Sequence, residues 1–377
     1  MARDTRVDLF RGLALIVIFI DHVAGNVLSR VTPSAMGLSD AAEYFVLLAG
    51  YSAALAYGTA FNRDGIVQGS AQVVARIWKL YMAHLGLFLF MAVAVAFMAT
   101  KFGNPLYYEH VAILPFFQDP ATALVQIASL MFLPNYLDIL PLYIVLLALL
   151  PALWGLARIA PMLALLASGG LYAAAWSLDL TLPNLATGGT WFFNPFAWQF
   201  LFTVGLVAGH ATLSGLRLSA SRLLFVGAVA FLAFGLINAA PWTALPGLDA
   251  LALPDGWRIE ADKTNLSPWR LVHALALAYV VARLVPVNAA WLESTPARLF
   301  TEAGKHSLPL FGLGVILSLL GTFVFFEVGR DWTMQFAVNI FGIGALLTAA
   351  RVLSWYRTAV ERRGVPAAKP LNEVRTA

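Results

Sequence analysis

Arg11 and His22 are the side chains best placed to do chemistry. They stand in the stretch Asp8-Leu-Phe-Arg11-Gly and Asp21-His22-Val-Ala-Gly25-Asn26, where an apolar run from Leu13 to Ile20 is bracketed by charged residues at both ends. Ionisable groups at membrane depth cost roughly 2.5–3.5 kcal/mol each even on the mildest insertion scale, so they persist mainly where they work or are paired. At about 100° per residue, the spacing from 11 to 22 returns to one face of a helix after an axial rise of about 16 Å. Ile18, Gly25 and Asn26 fall near the same line. An imidazole can act as general base, nucleophile, ligand or structural hydrogen-bonder. A guanidinium suits an anion. One helix is thus expected to connect a site for an anionic molecule to a base that faces a polar cavity.

Four further clusters carry candidate chemistry. In Ser39-Asp40-Ala-Ala-Glu43, Ser39 is the expected N-cap and acidic residues in a first turn are ordinary helix-dipole chemistry; the functional reading is that Asp21 or Glu43 orients the His22 imidazole. Asp262-Lys263-Thr-Asn265-Leu-Ser267-Pro268-Trp-Arg270 is followed by His273. Ser267 and Pro268 make an N-cap and first helical position, and Arg270 and His273 share a face, as paired snorkelling charges or as a substrate rim. Lys305-His306-Ser307 precedes Pro309. Positive-inside topology explains Lys305, and a contact to the phosphates of a nucleotide-bearing donor is the alternative. Trp191 to Trp198, with Trp242, Trp257 and Trp269, reads as an interfacial aromatic belt or as platforms for sugar rings. No Walker loop, dinucleotide fingerprint, metal-ligand spacing or nucleophile elbow is present, so no metal and no permanently bound cofactor is expected.

These residues need a scaffold, and composition says which kind. The chain has 377 residues, 60% of them hydrophobic and 12% charged, with no cysteine and a mean hydropathy of +0.78. That excludes disulfides and thiolate metal sites and places the chain among polytopic membrane proteins. The pI of 9.4 does not point to nucleic acid, because the positive charges sit beside apolar spans. The hydropathy pattern predicts an all-α integral membrane protein with about ten transmembrane helices, near 9–28, 40–61, 78–99, 138–157, 161–178, 196–213, 222–240, 268–286, 308–327 and 332–354. Most Lys and Arg residues then fall on the side of the N-terminus, which predicts cytoplasmic termini. Asp21-His22 and the later spans argue against a cleavable signal peptide. Segments 101–136, 179–195 and 241–267 are longer than outer turns require, and the apolar stretch after Pro120 is expected to form an interfacial or re-entrant helix. Residues 1–357 are expected to form one transmembrane domain and 358–377 a basic cytoplasmic tail. Gly205-xxx-Gly209 signals close helix packing.

Taken together, Asp8-Leu-Phe-Arg11-Gly, Asp21-His22 with Gly25-Asn26, Ser39 to Glu43, Leu140-Pro-Leu-Tyr143, Phe192 to Gln199, Asp262 through His273 and Gly304-Lys-His-Ser-Leu-Pro309 resemble the OpgC-type membrane acyltransferases, the family associated with succinylation of osmoregulated periplasmic glucans. The chain is also similar, more distantly, to the wider acyltransferase-3 class, which shares the Arg-to-His element. The resemblance implies transfer of a succinyl group from cytoplasmic succinyl-CoA to glucose hydroxyls on a periplasmic glucan, by a multi-pass protein of the bacterial inner membrane. On this expectation His22, Asp21 and Glu43 are catalytic, Arg11, Lys305 and His306 bind the donor, and Asn26, Asp262, Lys263, Asn265, Arg270, His273 and Trp198 bind the acceptor or the acyl carboxylate. An O-acetyltransferase of another envelope glycan and a non-enzymatic anion transporter are the competing readings. Transporters tend to show repeated halves, and no such repeat is visible.

Overall fold

A computed structural model describes residues 4–216, 221–244, 247–248 and 252–362. Apart from a two-residue hairpin, Pro183–Asn184 with Gly189–Thr190, its regular structure is helical. Eleven longer helices carry the architecture: α1 (Thr5–His22), α2 (Ala41–Ala53), α3 (Thr59–Phe102), α4 (Ile139–Ile159), α5 (Pro161–Ser177), α6 (Pro195–Leu213), α7 (Arg222–Ala239), α8 (Pro268–Leu284), α9 (Thr295–Lys305), α10 (Ser307–Glu327) and α11 (Trp332–Arg362).

Among the described residues, six stretches are long and apolar enough to cross a membrane: Ala41–Phe102, Ile139–Ile159, Pro195–Leu213, Arg222–Thr243, Ser307–Glu327 and Trp332–Val360. The ten expected spans each coincide largely with a helix; the longest of the six stretches covers two of them, and the three on α1, α5 and α8 are too charged or too short to be counted. The second and third spans are not separated by a loop. A π-turn at Ala54–Gly58 joins α2 to α3, and the only break within α3 is Gly65, whose φ of 82° and ψ of 171° suit glycine alone. Helix α1 carries Arg6, Asp8, Arg11 and Asp21. At 17 residues, or about 25 Å, α5 and α8 are short for a hydrocarbon core of about 30 Å.

Helix α1 runs through the middle of the bundle and packs against α9, α10, α2 and α11. Two crossings are close enough to require glycine. A Cβ on Gly12 would lie 1.9 Å from the Phe300 carbonyl oxygen, and one on Gly304 would lie 1.8 Å from that of Asp8, so α1 and α9 touch backbone to backbone. Helices α2 and α6 do the same: a Cβ on Gly50 would stand 2.0 Å from the Phe202 oxygen, and one on Gly205 2.1 Å from that of Leu47. The Gly205-xxx-Gly209 signal is thus half of a two-sided contact whose other half is Gly50. A Gly50→Val protein is expected to lose about 1–3 kcal/mol of stability through overpacking. A clear fall in melting temperature in detergent checks this, and an unchanged one refutes the crossing.

The stretch after Pro120 forms a helix, Pro120–Ala128, capped by Asp119; Ala123 and Ile127 are buried, and Tyr81 on α3 donates its hydroxyl to the Ala128 carbonyl at 2.8 Å. Lys305 does not open the ninth expected span. It ends α9, the chain turns at His306, and α10 begins at Ser307. Helix α11 continues past the expected boundary at 357 to Arg362, and the rest of the expected tail, 363–377, lies outside the described residues.

Candidate active site

The N-terminal ends of α2 and α8 are joined by charge. Asp40, rather than Ser39, caps α2: its Oδ1 accepts from the Ala42 N–H at 2.9 Å, and Glu43 Oε2 accepts from the Asp40 N–H at 2.8 Å, a full capping box. The free oxygens face basic side chains. Asp40 Oδ2 meets Lys263 Nζ at 2.6 Å and Arg270 Nη2 at 2.8 Å, while Glu43 Oε1 meets Arg270 Nε at 2.6 Å. Glu43 is 0% exposed. Both of its oxygens are engaged here, so Glu43 does not orient His22, contrary to the expectation. It fixes Arg270 instead.

The loop before α8 is built to present Lys263. Asp262 accepts from the Thr264 and Asn265 N–H groups at 3.0 and 2.9 Å, Trp198 Nε1 donates to the Lys263 and Thr264 carbonyls at 3.0 and 3.1 Å, and Asn194 Nδ2 donates to Asn265 Oδ1 at 2.8 Å. Trp198, Asp262 and Asn265, expected among acceptor contacts, are thereby committed to holding the loop. The Lys263 ammonium lies 5.5 Å from the ring centres of both Phe192 and Phe193. It is also within electrostatic reach of Asp21, His22, Glu43 and Asp138. His273, one turn beyond Arg270, shares its Nδ1 with Ser39 Oγ at 2.7 Å and is wedged between Gly37 and Gly235.

His22 ends α1. Its Nδ1 lies 2.6 Å from the Ile18 carbonyl oxygen, so the N–H belongs on Nδ1 and the lone pair on Nε2. The backbone one turn back sets the tautomer, which was expected of Asp21 or Glu43. Asp21 instead accepts from Thr32 Oγ1 at 2.7 Å, and Thr32 is bonded on to Ser34. Beyond His22 the chain is locked. Asn26 exchanges two hydrogen bonds of 2.9 Å with Asn339 and donates to the Ile20 carbonyl, and Gln335 bonds Gly25 and Val27. Asn26, expected to touch substrate, has its side-chain amide engaged in this lock. Tyr136, whose ring centre lies 5.3 Å from that of His22, is hydrogen-bonded to His110. Tyr136 and Thr32 carry no spacing signal relative to His22, because separate loops deliver them to His22 and Asp21.

Toward the other end of α1, Arg11 Nη2 donates to Ser307 Oγ at 2.7 Å, at the start of α10, and its guanidinium lies 5.8 Å from the Phe45 ring centre. These groups line a narrow cavity of about 20 Å³ with Arg76, Leu80, Leu140 and Tyr143. Arg76 is a second cation that sequence reading assigns only to topology. Lys305 is exposed and His306 bonds Ser354 Oγ at 3.1 Å; neither lines this cavity. A wider cavity, about 590 Å³, opens between Arg30, Ser34 and Gly37 on one side and Ala240, Pro241 and Thr243 on the other, next to the Asp21–Thr32–Ser34 bonds.

The molecule is thus an all-helical, membrane-type protein with an oriented histidine at one end of a central helix and an arginine-lined slot further along it. The OpgC protein family matches residues 3–358, and the chain belongs to that family. No curated protein and no solved structure matches it. Family and architecture together fit a membrane acyltransferase.

Proposed function

We propose that this protein is a transmembrane O-acyltransferase of the bacterial inner membrane, crossing about ten times with both termini cytoplasmic, that moves a succinyl group from cytoplasmic succinyl-CoA to a hydroxyl of a periplasmic glucan. The observation that carries the reading is the pairing, on α1, of an imidazole whose Nε2 lone pair is left available by the Nδ1 bond to Ile18 with an arginine that lines a slot beside the start of α10.

Arg11 and Arg76 hold donor phosphates, aided by the N-terminal dipole of α10. The slot widens as the thioester enters, since about 20 Å³ has room for little more than a water molecule. The acceptor sugar approaches through the wider outer cavity. His22 Nε2 takes the proton of the attacking hydroxyl as the oxygen–carbon bond forms, and the tetrahedral intermediate collapses with cleavage of the carbon–sulfur bond. The imidazolium returns its proton to the departing thiolate, so CoA leaves as the thiol and His22 is regenerated. Lys263 supplies the positive potential at the outer end for a succinyl carboxylate: Asp40 is its one acid partner and its side chain is 28% exposed, whereas Arg270 is held by both Asp40 and Glu43 and is 11% exposed.

The test is incubation of purified protein with succinyl-CoA or acetyl-CoA and a short glucan, read by mass spectrometry. Succinylated glucan is expected. A protein that binds no CoA and yields no adduct overturns the reading. A Lys263→Met protein is expected to lose about five- to tenfold of its preference for succinyl over acetyl, one charge-assisted contact. An unchanged ratio of kcat/KM values removes Lys263 from that role.

A further inference from the structure

His84 on α3 is fully buried, at 0% exposure, and neither of its ring nitrogens has a hydrogen-bond partner among the described residues. A neutral imidazole carries one donor and one acceptor in either tautomer, so this position withholds both from water and gives neither a protein partner. Such burial is costly, and native interiors contain few examples. The α3 face around it is otherwise apolar, with Leu80, Leu87, Phe88 and Met91 buried.

The position says what the partner is. One turn before His84 on the same face, Leu80 lines the slot that contains Arg11 and Arg76. One turn after it, Phe88 packs edge-on to Phe132, at 6.2 Å between ring centres. Phe132 belongs to the segment that leads to Tyr136, and the Tyr136 ring lies against His22. The α3 face that carries His84 therefore runs from the arginine slot toward the histidine. A thioester that travels between them brings the pantetheine arm, whose two amides each carry a donor and an acceptor and would otherwise be stranded against an apolar wall.

We infer that His84 is a binding residue for the donor, hydrogen-bonding an amide of the pantetheine arm between the arginine slot and His22. The inference rests on the acyl-CoA reading above and can fail separately from it. The full chain in detergent would be titrated calorimetrically with CoA and with adenosine 3′,5′-bisphosphate, which has the base, the 3′-phosphate and one of the two 5′-phosphates but no pantetheine. His84→Phe and His84→Leu remove both polar atoms, and His84→Gln restores a donor and an acceptor. Each apolar variant should bind CoA about tenfold more weakly, bind the bisphosphate as the native protein does, and keep or raise its melting temperature. The Gln variant should recover most of the loss. Native-like CoA affinity in an apolar variant that folds would overturn the assignment, as would equal loss of both ligands. Failure of both apolar variants to fold would overturn it too, by showing that the ring nitrogens serve the fold. A native protein that binds neither ligand would refute the donor reading along with the inference.

Discussion

A His22→Gln protein is expected to lose transfer activity by about 10²- to 10⁴-fold, the usual contribution of a positioned general base, with little change in folding or in CoA affinity. The size follows from the geometry. Nδ1 is tied to the Ile18 carbonyl at 2.6 Å, so the ring has one orientation and one free basic nitrogen. Glutamine keeps a donor for Ile18 but offers no comparable base. Neighbouring carboxylates cannot substitute, because Asp21 is bonded to Thr32, and Asp40 and Glu43 are paired with Lys263 and Arg270. Single-turnover rates at saturating donor, with melting temperature as a control, check the prediction. A folded variant that retains a tenth of native activity would exclude His22 as the base.

Arg270→Met is expected to destabilise the protein by about 3–5 kcal/mol, because it leaves a fully buried Glu43 without its cation. Arg270 Nε and Nη2 bridge two acids at the start of α2, so the single change removes the ion pairs between α2 and α8 and leaves the His273–Ser39 hydrogen bond. Adding Glu43→Gln should recover much of the loss, since the second change removes the uncompensated charge. Chemical denaturation in mixed micelles gives both values. Equal stability of the single and double variants would mean that the pair is solvated, and the account of the network would fall. Polar residues thus divide by what they touch: Arg270, Glu43, Asn26 and Asn339 are taken up in pairs that build the fold, while Arg11 lines the slot and His22 keeps Nε2 as its basic nitrogen.

The sequence by itself determined the class of fold and the central element. Composition and long apolar runs require buried helices, because backbone polar groups in a hydrocarbon core must be satisfied within each segment. Helical periodicity placed Arg11 and His22 on one helix without any knowledge of its neighbours. Likewise Ser267-Pro268 marked the start of α8, and Gly205-xxx-Gly209 marked a close contact, because both are rules of local geometry. Tertiary structure alone decided which charges pair. Lys263 and Arg270 are more than two hundred residues from Asp40 and Glu43, and only the docking of α8 on α2 takes those acids away from His22. It also decided that Arg76 lines the slot, that Tyr136 lies against His22 and that His84 is buried one turn from Leu80 of the slot. They come from segments with no fixed phase relative to α1, and a spacing rule reaches only as far as the helix that carries it.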